Sequence, residues 1–155
     1  MTAPDPSPPV VPVGAGRPPD YGPPISLADA KRVMAAAEAL AERRDWPVVI
    51  AIVDSTAHLV MLHKRDQAQL GSVIVAQAKA ETAVNFRRPT KVFQDAVAEG
   101  GAGLRMLSMP WVSVLEGGLP LVVGGEIVGG IGVSGMQSVQ DTEVARAGVA
   151  ALGSG

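Results

Sequence analysis

At 155 residues, with 47% hydrophobic residues and a formal charge of −2, the chain has the size and apolar content of one globular domain. The mild acidity gives no basic footprint for nucleic acid, and no run approaches the roughly 18 apolar residues of a membrane span. The absence of cysteine excludes disulfides, thiolate nucleophiles and cysteine metal sites, and with aromatics at 3% the core has to be aliphatic.

Residues 1–24 hold most of the prolines. Proline removes backbone donors and fixes φ, so this stretch cannot supply a helix or a central strand. It reads as a polyproline-like or disordered arm, able to drape over a neighbouring subunit. It has neither the basic start nor the apolar run of a signal peptide, which makes a cytoplasmic location the expectation. The domain is expected over residues 25–153.

Ser26-x-x-Asp29 resembles a capping box, and Leu27, Ala30, Val33, Met34, Ala37, Leu40 and Ala41 follow at helical spacing. The "DWP" at 45–47 ends this helix. "VVIAIVD" reads as a strand buried on both faces, "DSTAH" as a turn with Asp54 at its start, and "LVMLH" as the returning strand of a hairpin. From Gln69 to Phe86 helical period returns with a stripe rich in alanine, which predicts a close neighbour. Thr90 is a candidate cap for a short helix, "KVFQDAVA", ended by "EGGAG". Strands are predicted near 111–115, 119–123 and 127–133, with a tight turn at Gly124-Gly125-Glu126. A last helix follows, with Ser138-x-x-Asp141 as its capping candidate. The order α-β-β-α-α-β-β-β-α predicts an α+β fold with an antiparallel sheet flanked by helices.

Residues 130–135, "GIGVSG", spell the G-x-G-x-x-G of a dinucleotide-binding turn. That fingerprint needs a βαβ unit with an acidic residue about 20 positions further on, where this chain ends. The match is accidental, and glycines inside a hairpin strand point instead to a close approach by a helix or ligand.

Several side chains have the chemistry of a site. Lys79, Arg87 and Arg88 beside Phe86 read either as cations favoured toward a helix C-terminus or as a grip on a carboxylate against an apolar wall. His58 and His63, the only histidines, lack the helical spacing of zinc motifs, yet each can ligate haem iron. Met106 and Met109 near Trp111 read as core filling, with a thioether ligand as the other reading. Glu116-Gly117-Gly118-Leu119-Pro120 forms either a turn or a backbone corner with exposed amides. Glu116 and Asp141 are the candidate acid–base pair, useful only if folding brings both to one substrate atom.

Three segments, "IAIVDSTAHLV", "AQAKAETAVNFRRPT" and "EGGLPLVVGGEIVGGIGVSG" with the following "QDTEVARAG", resemble the GlcG/HbpS family, the haem-degrading or DUF336 domain. The resemblance spans Ile25 to Leu152 in the family's order. It implies a profilin-like α+β fold, homo-oligomers from dimer to octamer, and haem as the cofactor in those members that carry one. By motif it marks Lys79, Thr82, Phe86, Pro89 and Thr90, then Gly117, Gly118, Pro120, Ser134, Gly135 and Asp141, as lining a groove near a subunit contact or forming the fold. The chain departs from the family at Ala57, where glycine is usual, at Gln67 and at Thr142. Its first helix has no histidine. Alanine resists the positive φ that glycine accepts, so Ala57 marks an altered hairpin turn.

The expected function is binding of a small planar or hydrophobic ligand bearing carboxylates, haem included, through His58, His63, Lys79, Phe86, Arg87, Arg88, Thr90, Gly117 and Gly118. The alternatives are a cofactor-independent enzyme acting on a small organic intermediate through Glu116 and Asp141, and an accessory protein of a complex that uses the proline-rich arm. The expected partners are a small molecule and further copies of the chain, with no metal, nucleic acid or membrane.

Overall fold

The computed structural model describes residues 16–153. Its elements are β1 (Asp20–Tyr21), α1 (Leu27–Arg44), β2 (Val49–Asp54), β3 (Leu59–Lys64), α2 (Ser72–Asn85), α3 (Lys91–Glu99), a 3-10 helix (Gly101–Ser108), β4 (Gly118–Val123), β5 (Glu126–Ser134) and α4 (Ser138–Gly153). The fold is α+β. β5 is the hub of the sheet, antiparallel to β2 over 129–134 and to β4 over 118–123, with β3 antiparallel to the far edge of β2.

β2 shows why the domain has three layers. Ile50 and Ile52 point to one face, where they join Val33, Met34 and Ala37 of α1 and Val144 and Ala145 of α4. Val49, Ala51 and Val53 point to the other and meet Ala76, Ala80 and Val84 of α2. A strand covered on both faces has no use for polar residues, and β2 carries none before Asp54. The α2 layer sits unusually close. A Cβ on Gly130 would lie 2.7 Å from the Ala80 carbonyl oxygen, and one on Gly132 only 2.0 Å from that of Ala76. Gly130 and Gly132, the first two glycines of the false dinucleotide motif, are therefore the floor on which an alanine-rich helix rests.

The ends of α1 follow from local chemistry. Ser26 Oγ accepts from the Asp29 amide at 3.1 Å, and Asp45, at φ 55°, closes the helix behind Arg43 and Arg44. Cations in the last turn oppose the negative end of the helix dipole. Thr90 precedes α3 but makes no side-chain capping bond. Its hydroxyl accepts from the Gly118 amide at 2.9 Å instead. Asp141 likewise does not pair with Ser138; its Oδ1 accepts from the Met136 amide at 3.0 Å.

Three elements differ from the sequence expectation, the first being the 3-10 helix Gly101–Ser108, where no element is expected. The segment 111–115 is not a strand, because its region's amides are taken by side chains: Ser113 N donates to Thr82 Oγ1 and Glu116 N to Gln94 Oε1, each at 2.9 Å. β4 already occupies that edge of β5. Within the proline-rich stretch, Asp20–Tyr21 pair parallel with Glu126–Ile127, and Tyr21 Oη donates to the Val84 carbonyl at 2.7 Å. The expectation for residues 1–15 falls outside the described residues.

Candidate functional site

α2 carries the polar centre of the molecule. Lys79 lies on the helix flank toward the start of β4 and is 2% exposed. Its ammonium donates to the Val133 carbonyl at 2.8 Å and to Asp141 Oδ2 at 3.1 Å. Burial pushes the Lys79 pKa down and that of Asp141 up, and the mutual attraction of the pair offsets part of each shift. Lys79 therefore ties α2 to the end of β5 and the start of α4, rather than reaching out to a ligand. Gly117, at φ 127°, passes directly over this pair: a Cβ there would stand 2.8 Å from Lys79 Nζ and 3.2 Å from Asp141 Cβ.

The chain around Gly117 is pinned from the other side by Thr90. Its amide donates to the Gly118 carbonyl at 3.0 Å while its hydroxyl accepts from the Gly118 amide. Thr82 and Thr90 are both buried, so these bonds form in a dry setting, where an unmade one is costly. The pinning shapes a cleft of about 190 Å³ lined by Pro89, Lys91, Glu116, Gly117, Gly118, Leu119, Thr142 and Arg146. Glu116 faces this cleft. Asp141 does not line it, because its carboxylate is held by Lys79 and the Met136 amide. The two candidate acid–base residues thus flank Gly117 but are presented to different surroundings.

A second cleft, of about 380 Å³, lies where the proline-rich stretch crosses the end of α2. Arg17, Arg87 and Arg88 supply its cations, and Pro18, Pro19, Pro89, Pro120 and Val122 its apolar wall. Arg87 sits at φ 56°, donates to the Pro19 carbonyl at 3.2 Å, and stacks over the Tyr21 ring at 5.4 Å. Arg88 Nε donates to the Phe86 carbonyl. Arg17 and Arg87 also face Asp20, at 2.8 and 3.9 Å, and each guanidinium is a planar fork with five N–H donors. Phe86 is not the wall of this cleft. It lies edge-on to Phe93, with centroids 5.1 Å apart, and stacks on Trp111 at 5.6 Å.

A third cleft, of about 670 Å³, runs between the outer face of α2 (Ile74, Val75, Ala78, Glu81) and residues 110–115. Both histidines lie elsewhere. His58 is exposed in the β2–β3 turn, its Nδ1 2.6 Å from Thr56 Oγ1, and His63 on β3 is paired with Glu38 of α1. Asp54 organises that turn by accepting from the Thr56 and His58 amides. Neither histidine lines any of the three clefts, nor a fourth, polar one at Asp45 and 64–67. Ser134 is buried and donates to Ser72 Oγ at 3.1 Å. Among the described residues no group of three or more His, Cys, Asp or Glu could hold a metal ion. No helix among them is long and apolar enough to cross a membrane.

Three lining residues escape sequence reading: Arg17, Lys91 and Arg146. Arg146 carried a usable signal, since it stands four residues after Thr142 and so on the same face of α4. Arg17 belongs to the stretch read as a polyproline-like or disordered arm, in which no site residue is named.

Comparison with known proteins bears on the whole of this architecture. The model of the family described as haem degrading protein HbpS-like matches residues 25–150. The chain is 37% identical to Protein GlcG of Escherichia coli (strain K12) over 110 residues, covering 71% of this chain and 81% of that one. It is 32% identical to the corrinoid adenosyltransferase PduO of Salmonella typhimurium over 133 residues, 84% of this chain but only 40% of that protein. Among solved structures, the PduOC:heme complex superposes with a TM-score of 0.76 at 32% identity, covering 83% of this chain and 94% of that one. HbpS gives 0.77 at 32%, covering 85% and 92%. Protein ORFY of Klebsiella pneumoniae gives 0.79 at 26%, covering 86% and 94%. A family model that matches residues 25–150 and a relative 37% identical over 71% of the chain take the assignment beyond fold likeness: the chain belongs to the HbpS-like family.

Proposed function

We propose that the protein binds an apolar, carboxylate-bearing small molecule in the arginine cleft, its flat body against the prolines and its carboxylates on Arg88, Arg87 and Arg17. One observation carries the reading: three guanidinium groups converge on a cleft otherwise walled by proline and valine. Arginine's planar fork matches a carboxylate with two parallel hydrogen bonds. At roughly 30 Å³ per water, about 380 Å³ accommodates about a dozen heavy atoms, or one edge of a larger planar ligand.

The PduOC:heme complex among the family's structures supports a porphyrin as the test ligand. The donor set limits how it would be held. Haem iron is ordinarily ligated by His, Cys, Met or Tyr, and none of these lines any of the four clefts. This chain's residues fit the propionates and the apolar ring, not the iron. Titration with haemin and with metal-free protoporphyrin IX should therefore give similar affinities. Arg88→Ala should weaken both by about tenfold, the loss of one charge-assisted pair, while alanine at His58 or His63 should change neither. A haemin spectrum whose axial signature vanishes in either histidine variant would overturn this reading.

A subunit contact is read at the third cleft, apart from the arginine cleft. Ile74, Trp111 and Leu115, which line the third cleft, are exposed, Ile74 to more than three-quarters. Apolar patches of this kind mark interfaces, and a symmetric homo-oligomer is the usual result. Sedimentation of the wild type against Ile74→Asp tests this, the variant being expected at lower mass.

A further inference from the structure

We propose that the cleft at Glu116 is a second binding site. It would take a small carboxylate that carries a hydrogen-bond donor on the adjacent carbon, with Arg146 receiving the carboxylate and Glu116 accepting from the hydroxyl or ammonium. This is independent of the arginine cleft, with which the site shares only Pro89.

The unusual group is Glu116. The residue is 7% exposed, yet its side chain has no hydrogen bond or ion pair among the described residues. Nor are its oxygens sealed in: Arg65 Nε is the only shut-off, unpartnered side-chain atom among those residues. They open onto the cleft that Glu116 lines. Lys79 and Lys91 attract this carboxyl electrostatically, but neither donates a hydrogen bond to it. The nearby ammonium groups are committed, Lys79 to Asp141 and Val133, and Lys91 to Asp95 at 2.8 and 2.9 Å.

Arg146 complements it. The side chain is exposed on α4, lines the same cleft, and has no ion pair among the described residues. One accepting group and one guanidinium, with Leu119 and Pro89 as apolar lining, match a small molecule that carries both a carboxylate and a hydrogen-bond donor. The volume sets the size. About 190 Å³ equals about six waters, so a ligand held wholly within the cleft has about four to six heavy atoms. The Glu116 backbone is held for the task, its amide donating to Gln94 Oε1, while Thr90 fixes Gly118.

The test is calorimetric titration of the full chain with glycolate and glycine, which carry a hydroxyl and an ammonium respectively, and with acetate, which carries no donor. The expected result is saturable binding of at least one of the first two, about tenfold or more tighter than acetate. Arg146→Ala, at an exposed position, should lower the affinity about tenfold without moving the melting temperature. Glu116→Gln keeps an acceptor oxygen but loses the charge. It should cost glycine more than tenfold and glycolate only a few-fold, which tells the two donors apart. Arg88→Ala should leave all three ligands unaffected, so failure here and failure of the arginine-cleft reading are separable. No saturation by either ligand below about 10 mM, equal binding of acetate, or unchanged affinity in Arg146→Ala would overturn the proposal.

Discussion

Replacing Lys79 by methionine keeps the length and apolar stem of the side chain and removes its charge. Asp141, 2% exposed, then keeps only the backbone donors of Gly135 and Met136, and the Val133 carbonyl loses its donor as well. Removing one member of a buried pair typically costs about 3–5 kcal/mol, most of it the penalty of an uncompensated charge. Adding Asp141→Asn removes that charge but preserves an oxygen for the Met136 amide. Only the unmet Val133 carbonyl and a weaker bond to Asn remain, about 1–2 kcal/mol in all. The double variant should therefore be about 2–3 kcal/mol more stable than Lys79→Met alone, measured by urea unfolding with linear extrapolation. The pH dependence has a definite sign. Burial raises the folded-state pKa of Asp141 above 3.8, and loss of the lysine raises it further. A raised carboxyl pKa gives a stability contribution that is complete below the unfolded value and is lost as pH rises through the folded one. The deficit of Lys79→Met should hence grow as pH climbs from 3.8 through the raised value, and the double variant should show no such slope. A single variant losing under about 1 kcal/mol, or a double variant no more stable than the single, would refute the argument.

Ala57 stands at φ 64° in the β2–β3 turn, a conformation costing an L-residue about 1–2 kcal/mol. Ala57→Gly should relieve it, and after the entropic penalty of glycine, about 0.5–1 kcal/mol, melt up to about 1 kcal/mol more stably; a lower melting temperature would contradict this. Gly132→Ala should cost about 3 kcal/mol or prevent folding, since the added methyl overlaps the Ala76 carbonyl, and near-wild-type stability would mean that α2 can retreat. Thr90→Val, isosteric and fully buried, strands the Gly118 amide and should cost about 1–3 kcal/mol in chemical denaturation; a loss below about 0.5 kcal/mol would show that the amide has another acceptor.

The helices and the central hairpins are legible in the chain because their signals are local. The 3.6-residue stripe of α1, its Ser26 cap, and the unbroken apolar run of β2 each need only neighbouring residues to be understood. The strand expected at 111–115 fails for a non-local reason. "WVSVL" has strand composition, but whether it pairs depends on Thr82, Gln94 and β4, none of which a window over that segment contains. The site shows the same division. Arg87 and Arg88 are visible as a cation pair at the end of a helix, and the cleft does draw on both. Sequence proximity groups Lys79 with them, although the helix turns it toward Asp141, 62 residues away. His58 and His63 were candidates through side-chain chemistry alone, and their surroundings, Thr56 and Glu38, are set by the turn and by α1.

Close packing of α2 also accounts for which residues of the K-A-x-T-A-x-x-F pattern are available to a ligand. Because Gly130 and Gly132 let the helix settle onto β5, Ala76 and Ala80 face a backbone floor with no room for larger side chains. Lys79 and Thr82, three residues apart and hence on one flank, are carried under the chain at 113–117 and buried there. Lys79 bonds Val133 and Asp141; Thr82 accepts from Ser113; Phe86, a further turn along, stacks on Trp111. The pattern thus works as the frame beneath the Glu116 corner, and its polar groups are spent on other parts of the protein. Only groups that the frame leaves without a direct hydrogen bond or ion pair can serve a ligand with their full bonding capacity, and the side chains of Glu116 and Arg146 meet that condition among the described residues. Substitutions in the frame should accordingly register first in unfolding measurements. Those at Glu116, Arg146 and Arg88 should register in binding, with the melting temperature of Arg146→Ala unmoved.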